Sequence, residues 1–230
     1  MRGVFVTGTG TEVGKTVVAA RIARTAAAEG HRVAVFKPAV TGLDEPGEPD
    51  HALLRDAAGS AQSDEEIAPY RYGPPMSPHL AAELAGEAID PERLRDAARR
   101  AASGADFLVC EGVGGLLVPL AASPPYLVRD LAVDLGLPLV VAASPGLGTI
   151  NHTLLTIEAA SEAGLDIAMV FLTPWPDAPG PIEMSNRETI EALGKVRVET
   201  LPWLAADRPD SWPALPITGL HHRAGWSSPR

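Results

Sequence analysis

The run Gly8-Thr9-Gly10-Thr11-Glu12-Val13-Gly14-Lys15-Thr16 joins a glycine-rich stretch to a lysine and a hydroxyl. Such a run can hold a polyphosphate. Backbone N–H groups of the loop wrap the phosphate oxygens, and a helix N-terminus facing them adds its dipole. Lys15 then reaches the β- and γ-phosphates, and the Thr16 hydroxyl ligates magnesium. The usual spacing puts glycine where Thr9 stands; here glycines 8 and 10 flank that position.

Magnesium needs an acid at the end of another strand. Phe107-Leu108-Val109-Cys110-Glu111-Gly112 offers one, an apolar run closed by Glu111 and followed by Gly112, Gly114 and Gly115. In an open parallel sheet, strand carboxyl ends line the ligand crevice. Lys37-Pro38 closes a second apolar run, where a lysine can stabilise charge developing in phosphoryl transfer. From spacing alone Lys37 is equally a solvated strand-end lysine. Asp50 by itself reads as a helix N-cap. The loop from Gly146 to His152 enters a helix whose N–H groups could bind a carboxylate. His79 and His152 are not at metal-ligand spacing, and Cys110, inside an apolar run, reads as a buried inert thiol.

These residues need strands and helices to position them. The chain alternates short apolar runs with Ala-rich stretches. Strands are expected at residues 4–6, 32–36, 107–110, 139–143, 167–172 and 196–201. Helices are expected over residues 15–29, closed by Gly30, and from the Asp90 cap through Pro91 to Ala102. Residues 40–50 and 173–181 read as loops. Uninterrupted apolar strands separated by helices imply a parallel sheet with right-handed crossovers, covered on both faces. The expected fold class is α/β: a single doubly wound domain over residues 1–230, of P-loop NTPase type, with residues 205–230 as a loosely ordered tail.

A length of 230 residues fits one such domain. The net charge of −10 argues against nucleic acid or an anionic membrane as partner, since both select basic surfaces. One cysteine rules out an internal disulfide, no signal peptide is read at the amino terminus, and no segment reaches the ~20 apolar residues of a membrane helix. A cytoplasmic protein is expected.

In order and in detail, the segments resemble the dethiobiotin synthetase family over roughly residues 4–204. They are Phe5 to Thr16, Lys37-Pro38 with Thr41-Gly42, Asp50, Ser77-Pro78-His79, Glu111 to Leu116, Gly148 to His152, and Leu201 to Leu204. The family's loop is one residue longer than the ordinary pattern, which makes Thr9 regular. The resemblance implies an ATP- and magnesium-dependent ligase that carboxylates 7,8-diaminopelargonic acid with carbon dioxide. The resulting carbamate takes the γ-phosphoryl group as a mixed anhydride, and the second amine closes the ureido ring, with ADP and phosphate released.

The same resemblance implies roles for residues. Lys37, Lys15 and Thr11 would act in catalysis, and Thr16, Asp50 and Glu111 would surround the metal. The nucleotide would be met by Glu12, Val13, Gly14, Lys15, Thr16, Val17, Asp50, Glu111, Gly112, Val113, Gly114, Thr173, Pro174, Pro202, Trp203 and Leu204. Thr41 and the loop Gly148, Thr149, Ile150, Asn151 would hold the substrate, the loop acting across a homodimer interface. Many members carry an adenine-reading Asn after the fifth strand. Here Thr173-Pro174-Trp175 stands near that position, and proline has neither N–H nor amide, so relaxed base selection is expected. The rival reading is a switch ATPase of the partitioning type. Such proteins place an extra lysine early in the loop, and Thr9 to Glu12 contain none.

Overall fold

The structure is a computed structural model and describes residues 2–204 together with residues 212, 214 and 215. Gly3–Gly8 (β1) is buried throughout, and its period of two sends Val4 and Val6 to one core cluster and Phe5 to another. Lys15–Ala28 (α1) follows, packing Val18, Ile22 and a row of alanines against the first cluster. Beyond its end Gly30 takes φ 88°, a left-handed conformation that glycine adopts without strain. Next come Val33–Phe36 (β2), Asp50–Ala58 (α2), Asp64–Ile67 (α3), Pro78–Leu84 (α4) and Pro91–Ser103 (α5). The chain continues through Phe107–Gly115 (β3), Pro119–Ala122 (β4), Pro125–Leu127 (β5), Val128–Leu135 (α6) and Leu139–Ala143 (β6). It then runs through Thr149–Glu162 (α7), Ile167–Trp175 (β7), Pro181–Gly194 (α8) and Val198–Pro202 (β8).

Six strands form one parallel sheet in the order β2-β3-β1-β6-β7-β8, and β4 and β5 pair as a separate antiparallel ribbon. The α/β class with helices on both faces is as expected. Helices α1 and α2 cover one face; α5 and α6 cover the other beside β1 and β3, with α7 and α8 beside β6 and β7. Chain order reverses direction about β1 and β6, and such a switch point opens a crevice at the strand carboxyl ends. The phosphate loop leaves β1 at that place.

Several expectations change. The third strand does not stop at Cys110 but runs to Gly115, so Glu111 and the glycines lie within a strand rather than after one. Residues 173–175 extend β7 instead of opening a loop, because Trp175 pairs with Pro202 of β8. Asp50 is the first residue of α2 and not its N-cap, a place taken by Pro49. The sixth strand is shifted to Val198–Pro202. The α5 cap holds, with Asp90 Oδ1 accepting from Glu92 N–H at 2.8 Å. Of the segment expected to be a loose tail, Trp212 and Leu215 are buried against α1, and Leu215 N–H donates to Thr25 Oγ1 at 3.2 Å. Apart from Ala214, which is exposed, the rest of residues 205–230 lies outside the described residues.

Candidate nucleotide and metal site

The loop between β1 and α1 is held from both sides. Thr9 N–H donates to the Ala142 carbonyl at 3.0 Å, tying the loop to β6. Gly14 sits at φ 82°, where a Cβ would stand 2.7 Å from Thr173 Cγ2, so β7 closes on the loop only because residue 14 has no side chain. Glu12 also takes positive φ, 59°, in an exposed position. Lys15 is buried and folds back on the loop, its Nζ donating to the Gly10 carbonyl at 2.7 Å. Burial lowers its pKa, with Glu111 opposing.

Four further side chains from four places in the sequence converge beside Lys15. Thr16 Oγ1 lies 2.9 Å from Glu111 Oε1 and 3.0 Å from Asp50 Oδ1. Lys37 Nζ lies 2.6 Å from Glu111 Oε1 and 2.8 Å from Asp50 Oδ2. Lys37 is therefore not the solvated lysine that spacing alone allowed: it is buried, as is Glu111. Burial would lower the Lys37 pKa, but the two carboxylates override it and hold the ammonium above its ordinary value. For Asp50, burial works upward and Lys37 outweighs it, so that carboxyl is held low. Glu111 goes the other way. Its burial, with Asp50 alongside, exceeds what Lys37 returns, and its pKa is raised.

Two carboxylates thus share one ammonium, and the Thr16 hydroxyl has one proton for two acceptors. Glu111 Oε2 is buried without a hydrogen-bond partner. A further cation would satisfy all three. The donor set of a hydroxyl and two carboxylates is hard oxygen, the type magnesium takes beside phosphate. The residues fit that metal. Among the described residues no group of three His, Cys, Asp or Glu side chains gathers elsewhere as a metal site.

The remaining residues occupy neighbouring loops. Thr11 is exposed and reaches toward Gly114, at φ 62° on β3. Val13 and Val17 pack on the core edge, Gly112 touches Phe5 and Val128, and Val113 is half-buried. Gly148 caps α7 at φ 92°; Thr149 is buried against Thr153, Ile150 is half-buried and Asn151 is exposed. Thr41 follows Val40, which is latched to residues 70–72 by backbone bonds. Pro174, Pro202 and Trp203 are exposed and Leu204 packs on the core. Among the described residues no hydrogen bond or ion pair joins Thr41 or residues 148–151 to the Lys37 cluster. One contributor escaped sequence reasoning. Asn186 of α8 donates through Nδ2 to the carbonyls of Pro145 and Gly146, at 2.8 and 3.0 Å, pinning the loop before α7. A polar residue in mid-helix gives no local sign of that task.

Comparison with known proteins follows the same lines. An AAA domain family model matches residues 2–206. A protein of Anaeromyxobacter dehalogenans strain 2CP-1, called ATP-dependent dethiobiotin synthetase BioD, is 42% identical over 205 residues, covering 88% of this chain and 91% of that protein. A protein of the same name from Bacillus subtilis strain 168 is 38% identical, covering 84% and 83%. Among solved structures, the cell division ATPase MinD of Pyrococcus furiosus superposes with a TM-score of 0.55 over 88% of this chain and 84% of its own. At 17% identity that likeness shows the fold alone.

Proposed function

The chain belongs to the dethiobiotin synthetase family, and from that membership we propose how its residues divide the reaction. The enzyme is an ATP-dependent cyclo-ligase that joins carbon dioxide to diaminopelargonic acid and closes the ureido ring of dethiobiotin through a carbamate and a carbamic-phosphoric anhydride. The observation that carries the residue assignment is the convergence of Lys37, Thr16, Asp50 and Glu111 beside Lys15.

Lys15 holds the β- and γ-phosphates, assisted by loop N–H groups and the start of α1. Thr16, Asp50 and Glu111 hold Mg²⁺, which would supply charge neutralisation on the β- and γ-phosphates. Lys37, fixed between two carboxylates that favour its charged form, presents its ammonium to the carbamate and the transferring phosphoryl group, and Thr11 borders the same space. Glu12 to Val17, Gly112 to Gly114, Thr173-Pro174 and Pro202 to Leu204 border the nucleotide. Thr41 meets the diamine end of the substrate. The N-terminus of α7, at Gly148 to Asn151, takes the distal carboxylate.

That loop works across a homodimer. The support is a pair of exposed leucines beside the carboxylate site, Leu147 just before the α7 cap, 96% exposed, and Leu155 within α7. Base selection is relaxed, because Pro174, which is exposed and falls near the position of the family's adenine-reading Asn, has no donor of its own. Turnover with CTP, GTP and UTP within about tenfold of ATP is expected, since no paired hydrogen bond to the base is lost.

The test is phosphate release with magnesium, ATP and bicarbonate, with and without diaminopelargonic acid, and mass detection of product. Release that depends on the diamine, yields dethiobiotin and stops on chelation supports the assignment. Diamine-independent release would return the switch reading.

A further inference from the structure

The outer edge of the sheet carries a recognition element that the reaction does not use. In β2, Ala34 and Phe36 turn their backbone groups toward β3, so Val33, Val35 and Lys37 turn theirs outward. The chain itself closes two of these three positions. Lys37 N–H donates to the Ile67 carbonyl at 2.8 Å. Val35 is met by a side-chain amide: its N–H donates to Gln62 Oε1 at 2.8 Å, and its carbonyl accepts from Gln62 Nε2 at 3.1 Å. Ser60 Oγ donates to the same Oε1 at 3.0 Å, fixing the amide's orientation. Val33 comes next along the edge, and no described residue bonds its outward N–H or carbonyl.

Val33 lines a cavity of about 510 Å³ together with Gln62, Arg93, Ala101 and Arg100, none of them in the nucleotide and metal site. Its charges are mostly engaged. Arg32 is held by both oxygens of Asp106, at 3.1 and 2.8 Å. Arg93 lies over the Tyr70 ring and donates to the Pro69 carbonyl. Glu65 is taken by Arg71, and Glu66 by Ser63 N–H. Arg100, in the last turn of α5, has no ion-pair partner among the described residues. Among the described residues the cavity therefore offers one open donor–acceptor pair and one open guanidinium.

We propose that this cavity is a second small-molecule site, for a cyclic urea or lactam that carries a carboxylate. A ring urea presents N–H and C=O on the same side, so it seats on Val33 as the Gln62 amide seats on Val35, and its carboxylate meets Arg100. A peptide strand does not fit, because strand addition needs successive open edge residues and Gln62 and Ile67 occupy the next two. The volume lies within the range that holds small ligands. Dethiobiotin is a ureido carboxylate, so the site reads the enzyme's own product; that identification rests on the function proposed above.

The test is an amide-resolved NMR titration of the whole enzyme with dethiobiotin, 2-imidazolidone and hexanoate. Dethiobiotin is expected to shift the Val33 amide saturably, imidazolidone to shift it weakly, and hexanoate to leave it unmoved. Arg100→Ala should weaken dethiobiotin binding at Val33 about tenfold, as loss of one charge-assisted bond does, with turnover unchanged. Shifts confined to the phosphate loop and residues 148–151 would mean binding at the catalytic site only and overturn the proposal, as would equal affinity in Arg100→Ala. The same preparation is assayed for dethiobiotin formation. Failure there sinks the function while the Val33 titration still decides the cavity.

Discussion

Lys37 has a double task at the scale of single residues: it is paired with the buried Glu111 and the half-exposed Asp50, and the proposed mechanism has it meet the reacting phosphoryl group as well. Lys37→Met should lower kcat by about 10²–10³, the usual cost of losing one preorganised charge at a transition state. The same change leaves the buried Glu111 without its ammonium; breaking a buried pair in this way costs about 3–5 kcal/mol, and the half-exposed Asp50, screened by solvent, adds little to it. Denaturant unfolding of the metal-free protein should show that loss, whereas a purely solvent-facing lysine would show none. Thr16→Val separates metal from chemistry. It removes the hydroxyl shared by Asp50 and Glu111 while keeping the shape, so the magnesium requirement should rise about 10–100-fold, the range seen when a ligand's support is lost. Activity at saturating magnesium should then largely return; a variant inactive at every magnesium concentration would contradict the assigned role.

At the scale of elements, the crevice depends on close approaches between neighbouring loops. Gly14→Ala would place a methyl 2.7 Å from Thr173 Cγ2 at a φ of 82°. The expected cost is about 1–3 kcal/mol, from overpacking and a left-handed residue. Thr173→Ser removes the clashing methyl but not the φ strain, so the double variant should recover part of the loss in thermal unfolding. The loop before α7 has a different fastening. Asn186→Ala frees two carbonyls and should cost about 1–3 kcal/mol. Its kinetic mark should be a raised KM for the diamine with kcat nearly unchanged, if residues 148–151 take the end remote from the chemistry as proposed. An equal fall in kcat would place the loop at the reacting centre instead.

For the whole molecule, the sheet is a two-sided partition whose faces are sealed by elements distant in sequence. Trp212 and Leu215 cover part of the α1 face from the far end of the chain. Trp212→Ala should cost about 3–5 kcal/mol as a buried large-to-small change, and so lower the Tm by roughly 6 °C or more for a chain of this size. An unchanged Tm would show that this contact does not stabilise the fold. The proposed homodimer is tested by Leu155→Asp, which should shift the sedimentation of the enzyme toward the protomer and lower activity with it.

The sequence by itself determined the fold class, the phosphate loop and the family. Each rests on local pattern: uninterrupted apolar runs separated by helical stretches, glycines beside Lys15 and Thr16, and short motifs in fixed order. It also named every member of the Lys15, Thr16, Lys37, Asp50 and Glu111 group. What it left open was their state. Lys37 could have been solvated and Asp50 a cap, since burial and pairing arise only when β2, α2 and β3 meet at the mouth of the crevice. The same holds for Asn186, which reaches a loop some 40 residues earlier in the chain, and for the open edge of Val33. Such contacts are set by sheet order and crossover, and no spacing within a single segment encodes which distant segment will lie beside it.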